Sequence, residues 1–252
     1  MISKNRLKLI RSLEHKKYRE KYNLFVCEGP KIVLEVLSGQ MDIVKEIYCM
    51  QEFLDLHTDI LNQVPGQVVI VEESELKQAS FQEHPQQVLA LLEKPEIKDE
   101  KIVFKTAFYL DAIRNPGNLG AILRIADWFG HETIFVSPDC VDHFNPKVVQ
   151  SSMGSFLRLH VREKAIDELR VVDDLTFYAS SMDGESIYES VLSYPALIQI
   201  GTEGKGLSQA KLALADRVIS IPGASHSQTE SLNAAVAAGI LASEFYRKSE
   251  MQ

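Results

Sequence analysis

The chain has 252 residues, 45% hydrophobic and 25% charged, the composition of an ordinary globular protein long enough for one large domain or two small ones. Its formal net charge of −8 argues by itself against a nucleic-acid partner. No run reaches the roughly 18 apolar residues of a membrane span, no apolar signal core follows the N-terminus, and Cys27, Cys49 and Cys140 have neither disulfide-framework nor zinc spacing, so the chain reads as a cytoplasmic protein with reduced thiols, no membrane segment and no metal.

The charge is unevenly spread. Lys4, Arg6, Lys8, Arg11, Lys16, Lys17, Arg19 and Lys21 face only Glu14 and Glu20 in the first 21 residues, a local +6 that leaves −14 on the remainder. A basic leading helix can track a phosphate backbone even on an acidic protein, which marks Lys16, Lys17, Arg19 and Lys21 as candidate phosphate contacts; the same charges would also suit a solvated helix face.

Apolar runs at 24–28, 44–49, 67–71 and 87–92, alternating with helical patterns such as 30–39, read as a small α/β unit. The stretch 93–101 is charged, contains Pro95 and lacks periodicity, so it reads as a linker; the expected domains are 1–95, a linker at 96–104, and 105–252. Beyond it, runs at 107–112, 133–137, 176–180, 196–200 and 217–221 predict a mainly parallel sheet with helices on both faces.

Three strand ends carry the polar chemistry. After 107–112 comes Asn115-Pro116-Gly117-Asn118, a turn in which Gly117 can take a positive φ, and then a helix over 118–130 with Gly130 as its C-cap and Gly120 and Arg124 on one face. These residues could form a capped helix with a surface Arg; together they look more like a site. After 196–200, Gly201, Glu203, Gly204, Lys205 and Gly206 fall within six residues. The Gly201–Gly206 gap suits a phosphate loop, but Leu207 stands where that loop needs Lys, so the glycines instead permit close approach of a planar ligand, or a tight turn before a helix over 208–217. After 217–222 and a polar loop at 223–230, Ser231 is the expected N-cap of a helix over 232–248. Asn233 has no propensity advantage in a first helical turn, so its carboxamide is expected to face a partner, and the small residues at 234–239 allow close helix packing. No nucleophile elbow, Walker A or dinucleotide fingerprint occurs, and Asp139, Asp142 and His143 are too loosely grouped for a metal site.

The order Asn115-x-x-Asn118-x-Gly120-x-x-x-Arg124, then Gly201-x-Glu203-Gly204-x-Gly206-Leu207, then Ile221-Pro222…Ser231-Leu232-Asn233, resembles the three motifs of the SpoU/TrmH family of RNA ribose 2′-O-methyltransferases, within the knotted SPOUT superfamily. The segment 147–161 is also similar to what that family carries between its first two motifs, and residues 24–37 resemble the opening of a ribosomal-protein-like RNA-substrate-binding domain found before the catalytic domain in many rRNA-directed members. The loop from Ile221 to Ser231 is slightly longer than the family's usual version. The resemblance implies a small N-terminal α/β domain followed by a trefoil-knotted α/β methyltransferase domain acting as a homodimer, S-adenosylmethionine as cofactor, and a ribose 2′-hydroxyl of RNA, above all 23S rRNA, as methyl acceptor; a tRNA substrate, or a non-catalytic RNA-binding role on the same fold, are the alternatives. It assigns catalysis to Arg124, Glu203, Asn115, Ser231 and Asn233, and cofactor binding to Gly201, Ile221, Leu232, Gly206 and Pro222. The family role for Arg124 is to take the hydroxyl proton. A guanidinium is effectively always protonated, so binding the adjacent phosphate and stabilising alkoxide character suit it better.

Overall fold

A computed structural model describes residues 1–95, 104–202, 204 and 206–250. The expected linker at 96–104 lies outside them except for Phe104. The chain divides into two compact units, Met1–Asp99 with Asp142–Leu157, and Glu100–Val141 with Arg158–Gln252.

In the first unit, β1 (Leu24–Glu28), β2 (Val44–Cys49), β3 (Gln67–Ile70) and β4 (Val88–Glu93) form a sheet in the order β1-β4-β2-β3, with β4 antiparallel to both neighbours and β2 parallel to β3. These are the apolar runs expected from sequence: β1, β2 and β4 bury most of their side chains, whereas β3, at the sheet edge, buries none completely. One core cluster joins Val26, Tyr48, Leu89 and Leu91 to Ile10 and Leu13 from the leading segment. Phe25 packs instead against Phe144 (ring centroids 4.6 Å) and edge-on to Phe156 (5.9 Å). Residues 142–157, which sequence reasoning assigns to the catalytic domain, thus cluster with the first unit.

The helix Lys16–Tyr22 overturns one expectation. Arg19 is buried: its Nε donates to Asp142 Oδ2 (2.7 Å), and its Nη1 to the Leu13 and Glu14 carbonyls (2.6 and 2.8 Å). A side chain so enclosed cannot reach an RNA phosphate, so Arg19 is a structural anchor, while Lys16, Lys17 and Lys21 are exposed.

In the second unit, β5 (Thr106–Leu110), β6 (Thr133–Val136), β7 (His160–Glu163), β8 (Thr176–Ser186), β9 (Ala196–Ile200) and β10 (Arg217–Ser220) form a sheet in the order β10-β8-β9-β5-β6-β7, and every adjacent pair is parallel. Ala107, Tyr109, Phe135, Phe177 and Leu197 pack with Ile166, Leu169 and Leu175 in one core cluster. β7, absent from the sequence reading, is a short edge strand with two exposed ends. β8 runs six residues past its predicted end through polar residues, because β10 pairs with that extension after a register shift at Val218/Ile219. Gly184 permits it, since a Cβ there would lie 2.5 Å from the Ile219 carbonyl carbon. The helix expected over 208–217 is only Gln209–Leu212, because the Asp216 amide and carboxylate are drawn back to the Phe177 backbone.

Each unit holds a histidine whose pKa is pushed down to about 4 chiefly by desolvation: buried His131, stacked on Phe108 at 4.8 Å, and half-buried His143, where Asp142 opposes the shift. Above the ordinary value of about 6.5 both are neutral whether folded or not. As pH falls from there toward 4 the unfolded chain takes up protons that the fold refuses, so stability drops across that window. Urea midpoints are expected to fall between about pH 7 and about pH 4.5, less steeply in His131→Phe. An identical slope in that variant would contradict the assignment.

Candidate active site

β5 and β9 are neighbours, and the Asp111 amide extends their ladder by donating to the Ile200 carbonyl (2.8 Å), so the loops that follow leave the sheet side by side. After β5 the left-handed residue is Ala112 (φ 52°), not Gly117. The Ser137 hydroxyl holds this conformation by accepting from the Ala112 amide (2.9 Å), and the Ile113 amide donates to Cys140 Sγ (3.3 Å). The chain then enters the helix Pro116–Trp128, capped by Asn115, whose Oδ1 accepts from the Gly117 and Asn118 amides (2.8 and 3.4 Å). Pro116 at the first helical position supplies the preset φ. Gly130, at φ 72°, follows the end of this helix as expected. Arg124 stands exposed two turns along and makes no hydrogen bond or ion pair among the described residues.

After β9, Gly201 is buried where a Cβ would collide with Gly206 and with the Leu207 nitrogen (2.5 Å). The loop curls on itself: the Gly206 amide donates to the Thr202 carbonyl (2.8 Å), and Gly206 takes φ 61°. Glu203 and Lys205 lie outside the described residues. Ser208 then caps Gln209–Leu212, and Lys211 forms an ion pair with Asp111, which is only 5% exposed. This pair ties the end of β5 to the far side of the glycine loop. Sequence reasoning missed it, because nothing in either local pattern connects two residues 100 positions apart.

After β10, Ile221 is half-buried, and Pro222, Ser231 and Leu232 are exposed. The helix begins at Ala234, later than expected, and its cap is Asn233, not Ser231: Asn233 Oδ1 accepts from the Ala235 and Val236 amides (2.9 and 3.3 Å). Capping thus accounts for the Asn that looked out of place in a first turn. Its Nδ2 also donates to Asn118 Oδ1 (3.1 Å), which joins the first and third loops directly. The small residues Ala235, Ala238 and Ala242 are buried, and Gly239 faces Ile125 of the helix Pro116–Trp128, where an added Cβ would lie 3.6 Å from Ile125 Cδ1.

The structure thus joins Asn115, Asn118 and Asn233, and folds Gly201 against Gly206. Among the described residues no contact links Arg124, Ile221, Pro222 or Leu232 to another member of the set. Among the described residues there is no group of His, Cys, Asp or Glu that could hold a metal ion, and no helix long and apolar enough to cross a membrane.

Gly201→Ala tests the second loop. The new methyl group must displace the 206–207 backbone, so loss of ligand binding by this loop is expected with the sheet retained, read by calorimetry against circular dichroism. Undiminished binding would show that the loop does not line the ligand.

Comparison with known proteins finds a match to the SpoU rRNA Methylase family over residues 105–243 and to an MRM3-like substrate binding domain over residues 4–90. The chain is 31% identical over 239 residues to the 23S rRNA (guanosine(2553)-2′-O)-methyltransferase RlmP of Bacillus subtilis, covering 92% of each protein. A solved TrmH-family structure from Porphyromonas gingivalis is 34% identical with a TM-score of 0.85, covering 98% of this chain and 99% of that one. The AdoMet-bound rRNA methyltransferase of Sinorhizobium meliloti is 25% identical with a TM-score of 0.84, over 98% and 97%.

Proposed function

The chain belongs to the SpoU rRNA methylase family of S-adenosylmethionine-dependent RNA methyltransferases, and from that premise we propose that it methylates a ribose 2′-hydroxyl in 23S rRNA, in the cytoplasm. The observation that carries the reading is the Asn118–Asn233 hydrogen bond, which brings two of three motif loops together at one end of a parallel sheet. The substrate-binding match over residues 4–90 and the 23S rRNA relative favour rRNA over tRNA.

The second loop suits the cofactor, because Gly201 lets the chain fold tightly against Gly206–Leu207 and present main chain in place of side chains along this stretch. Gly201, Gly206, Ile221, Pro222 and Leu232 would hold S-adenosylmethionine, which supplies an electrophilic methyl group when bound. Asn115, Ser231 and Asn233 orient the target nucleotide. Arg124, exposed and uncommitted among the described residues, binds the phosphate beside the target ribose and stabilises negative charge on the 2′-oxygen. Glu203 is assigned to holding Arg124 or Asn115 in place, with service as general base as its competing role. Mapping ribose methylation across rRNA and tRNA with and without the gene tests the whole: a lost mark in 23S rRNA is expected, and a lost mark confined to tRNA, or none, would overturn the substrate.

We assign RNA affinity to residues 1–95 and catalysis to 105–252. Deleting 1–95 is a poor test, since Phe144 and Phe156 would lose Phe25. Replacing Lys16, Lys17 and Lys21 with Gln is cleaner, and is expected to weaken RNA binding and flatten its salt dependence.

A homodimer through the catalytic domain completes the proposal. The small-residue face of the helix Ala234–Glu250 is spent within the chain, but Trp128 (84% exposed), Leu232 (43%), Val236 (50%) and Tyr246 (49%) leave apolar surface outside. Light scattering at micromolar concentration is expected to give twice the chain's mass; a monomer would contradict the dimer.

A further inference from the structure

We propose that the exposed side of the helix Lys16–Tyr22 is a stacking platform for unpaired RNA bases, which narrows the substrate of the first unit to a single-stranded or looped segment. The inference rests on the reading that this unit binds RNA. Tyr18 and Tyr22 stand four residues apart, so they share a helix face, and their rings are nearly parallel, 13° apart with centroids separated by 6.3 Å. His15 lies beside them, its ring 6.4 Å from that of Tyr18 and tilted by 54°. Lys17 Nζ lies over the Tyr18 ring at 4.8 Å and Lys21 Nζ over the Tyr22 ring at 5.2 Å. Tyr18 has one side against the core of this unit, whereas Tyr22 is 41% exposed and belongs to no core cluster of the described residues. Packing therefore explains half of Tyr18 and leaves Tyr22 to some other purpose.

The buried guanidinium of Arg19, bonded to Asp142 and two carbonyls, fixes the helix so that the two rings are held in place before any ligand arrives. Aromatic rings beside exposed lysines are what single-stranded nucleic acid uses: bases stack on the rings, and the ammonium groups, which lie over the rings in the free chain on flexible stems, swing out to the phosphates. A duplex offers no such contact, because its bases are stacked on one another and only its phosphates and sugars face outward.

The test uses the full-length protein, with fluorescence anisotropy of a labelled single-stranded oligouridine and of an RNA duplex of equal length. Tyr22→Ala, and the double variant Tyr18→Leu/Tyr22→Leu, are expected to weaken binding of the single strand at least about fivefold, the low end for loss of one base–aromatic stack. Duplex binding and the salt slope are expected to stay as they were, since no charge changes. Tyr18→Phe/Tyr22→Phe keeps the rings and is expected to restore affinity. Undiminished single-strand binding in Tyr22→Ala, or an equal loss on single strand and duplex, would overturn the platform. A flattened salt slope in the triple Lys→Gln variant beside unchanged Tyr variants would reject the platform and leave the RNA-binding reading standing; no change in any variant would reject both.

Discussion

Arg124→Ala is expected to lower the rate of methyl transfer by on the order of 10²–10³, the cost of removing one electrostatic group aimed at developing charge. The affinity for S-adenosylmethionine should stay unchanged, because Arg124 lies on the helix after β5 while the cofactor is assigned to the loops after β9 and β10. Stability should hardly move. Arg124 is exposed and makes no hydrogen bond or ion pair among the described residues, so truncation leaves no buried partner stranded. Arg124→Lys sharpens the result: it retains the charge but not the planar fork that grips a phosphate, so partial activity is expected. Single-turnover rates with calorimetry on the same samples decide the matter. Near-wild-type turnover in Arg124→Ala would reject the role, and a parallel loss of cofactor binding would move Arg124 into the cofactor site.

The sequence showed what is local. β5 and β9 are apolar runs that end abruptly in turn residues, and Asn115-Pro116 announces a capped helix start, so the strand ends and their polar residues were legible. Long-range partnerships were not. Asn233 looked unexplained until its register relative to Ala234 made it the cap and Asn118 became its neighbour, 115 residues away. Asp111 and Lys211 are each unremarkable in their own segments, and their pairing depends on how β5 and β9 align. Polar strands were missed for the same reason: the end of β8 and all of β7 owe their pairing to a neighbouring strand and carry little apolar signal of their own. A count of positive charges likewise cannot separate Arg19, which turns inward, from Lys17 and Lys21 on the same short helix.

That inward turn makes Arg19→Ala the most disruptive single change expected in the first unit. The variant leaves the Asp142 carboxylate, which is 10% exposed, with the Phe144 amide at 3.1 Å and without its ion-pair partner. Breaking a buried pair from one side costs about 3–5 kcal/mol, a large part of the roughly 5–15 kcal/mol that holds a domain together. The acid dependence gives a second signature. Burial pushes the Asp142 carboxyl up, and in the native chain the charges of Arg19 and then His143 outweigh it and hold the carboxyl below its ordinary value. Without Arg19 burial wins, the folded pKa rises above the unfolded one, and the deficit is largest near neutral pH and shrinks as pH falls toward the ordinary carboxylate value of about 3.9. Urea denaturation at about pH 7 and about pH 5 should show the difference. The double variant Arg19→Met/Asp142→Leu should recover much of the loss, because an apolar pair leaves no stranded charge. An RNA contact predicts the opposite pattern: Arg19→Ala would keep its urea midpoint at both pH values and lose RNA affinity, and that outcome would mean the guanidinium leaves Asp142 to meet the phosphate backbone.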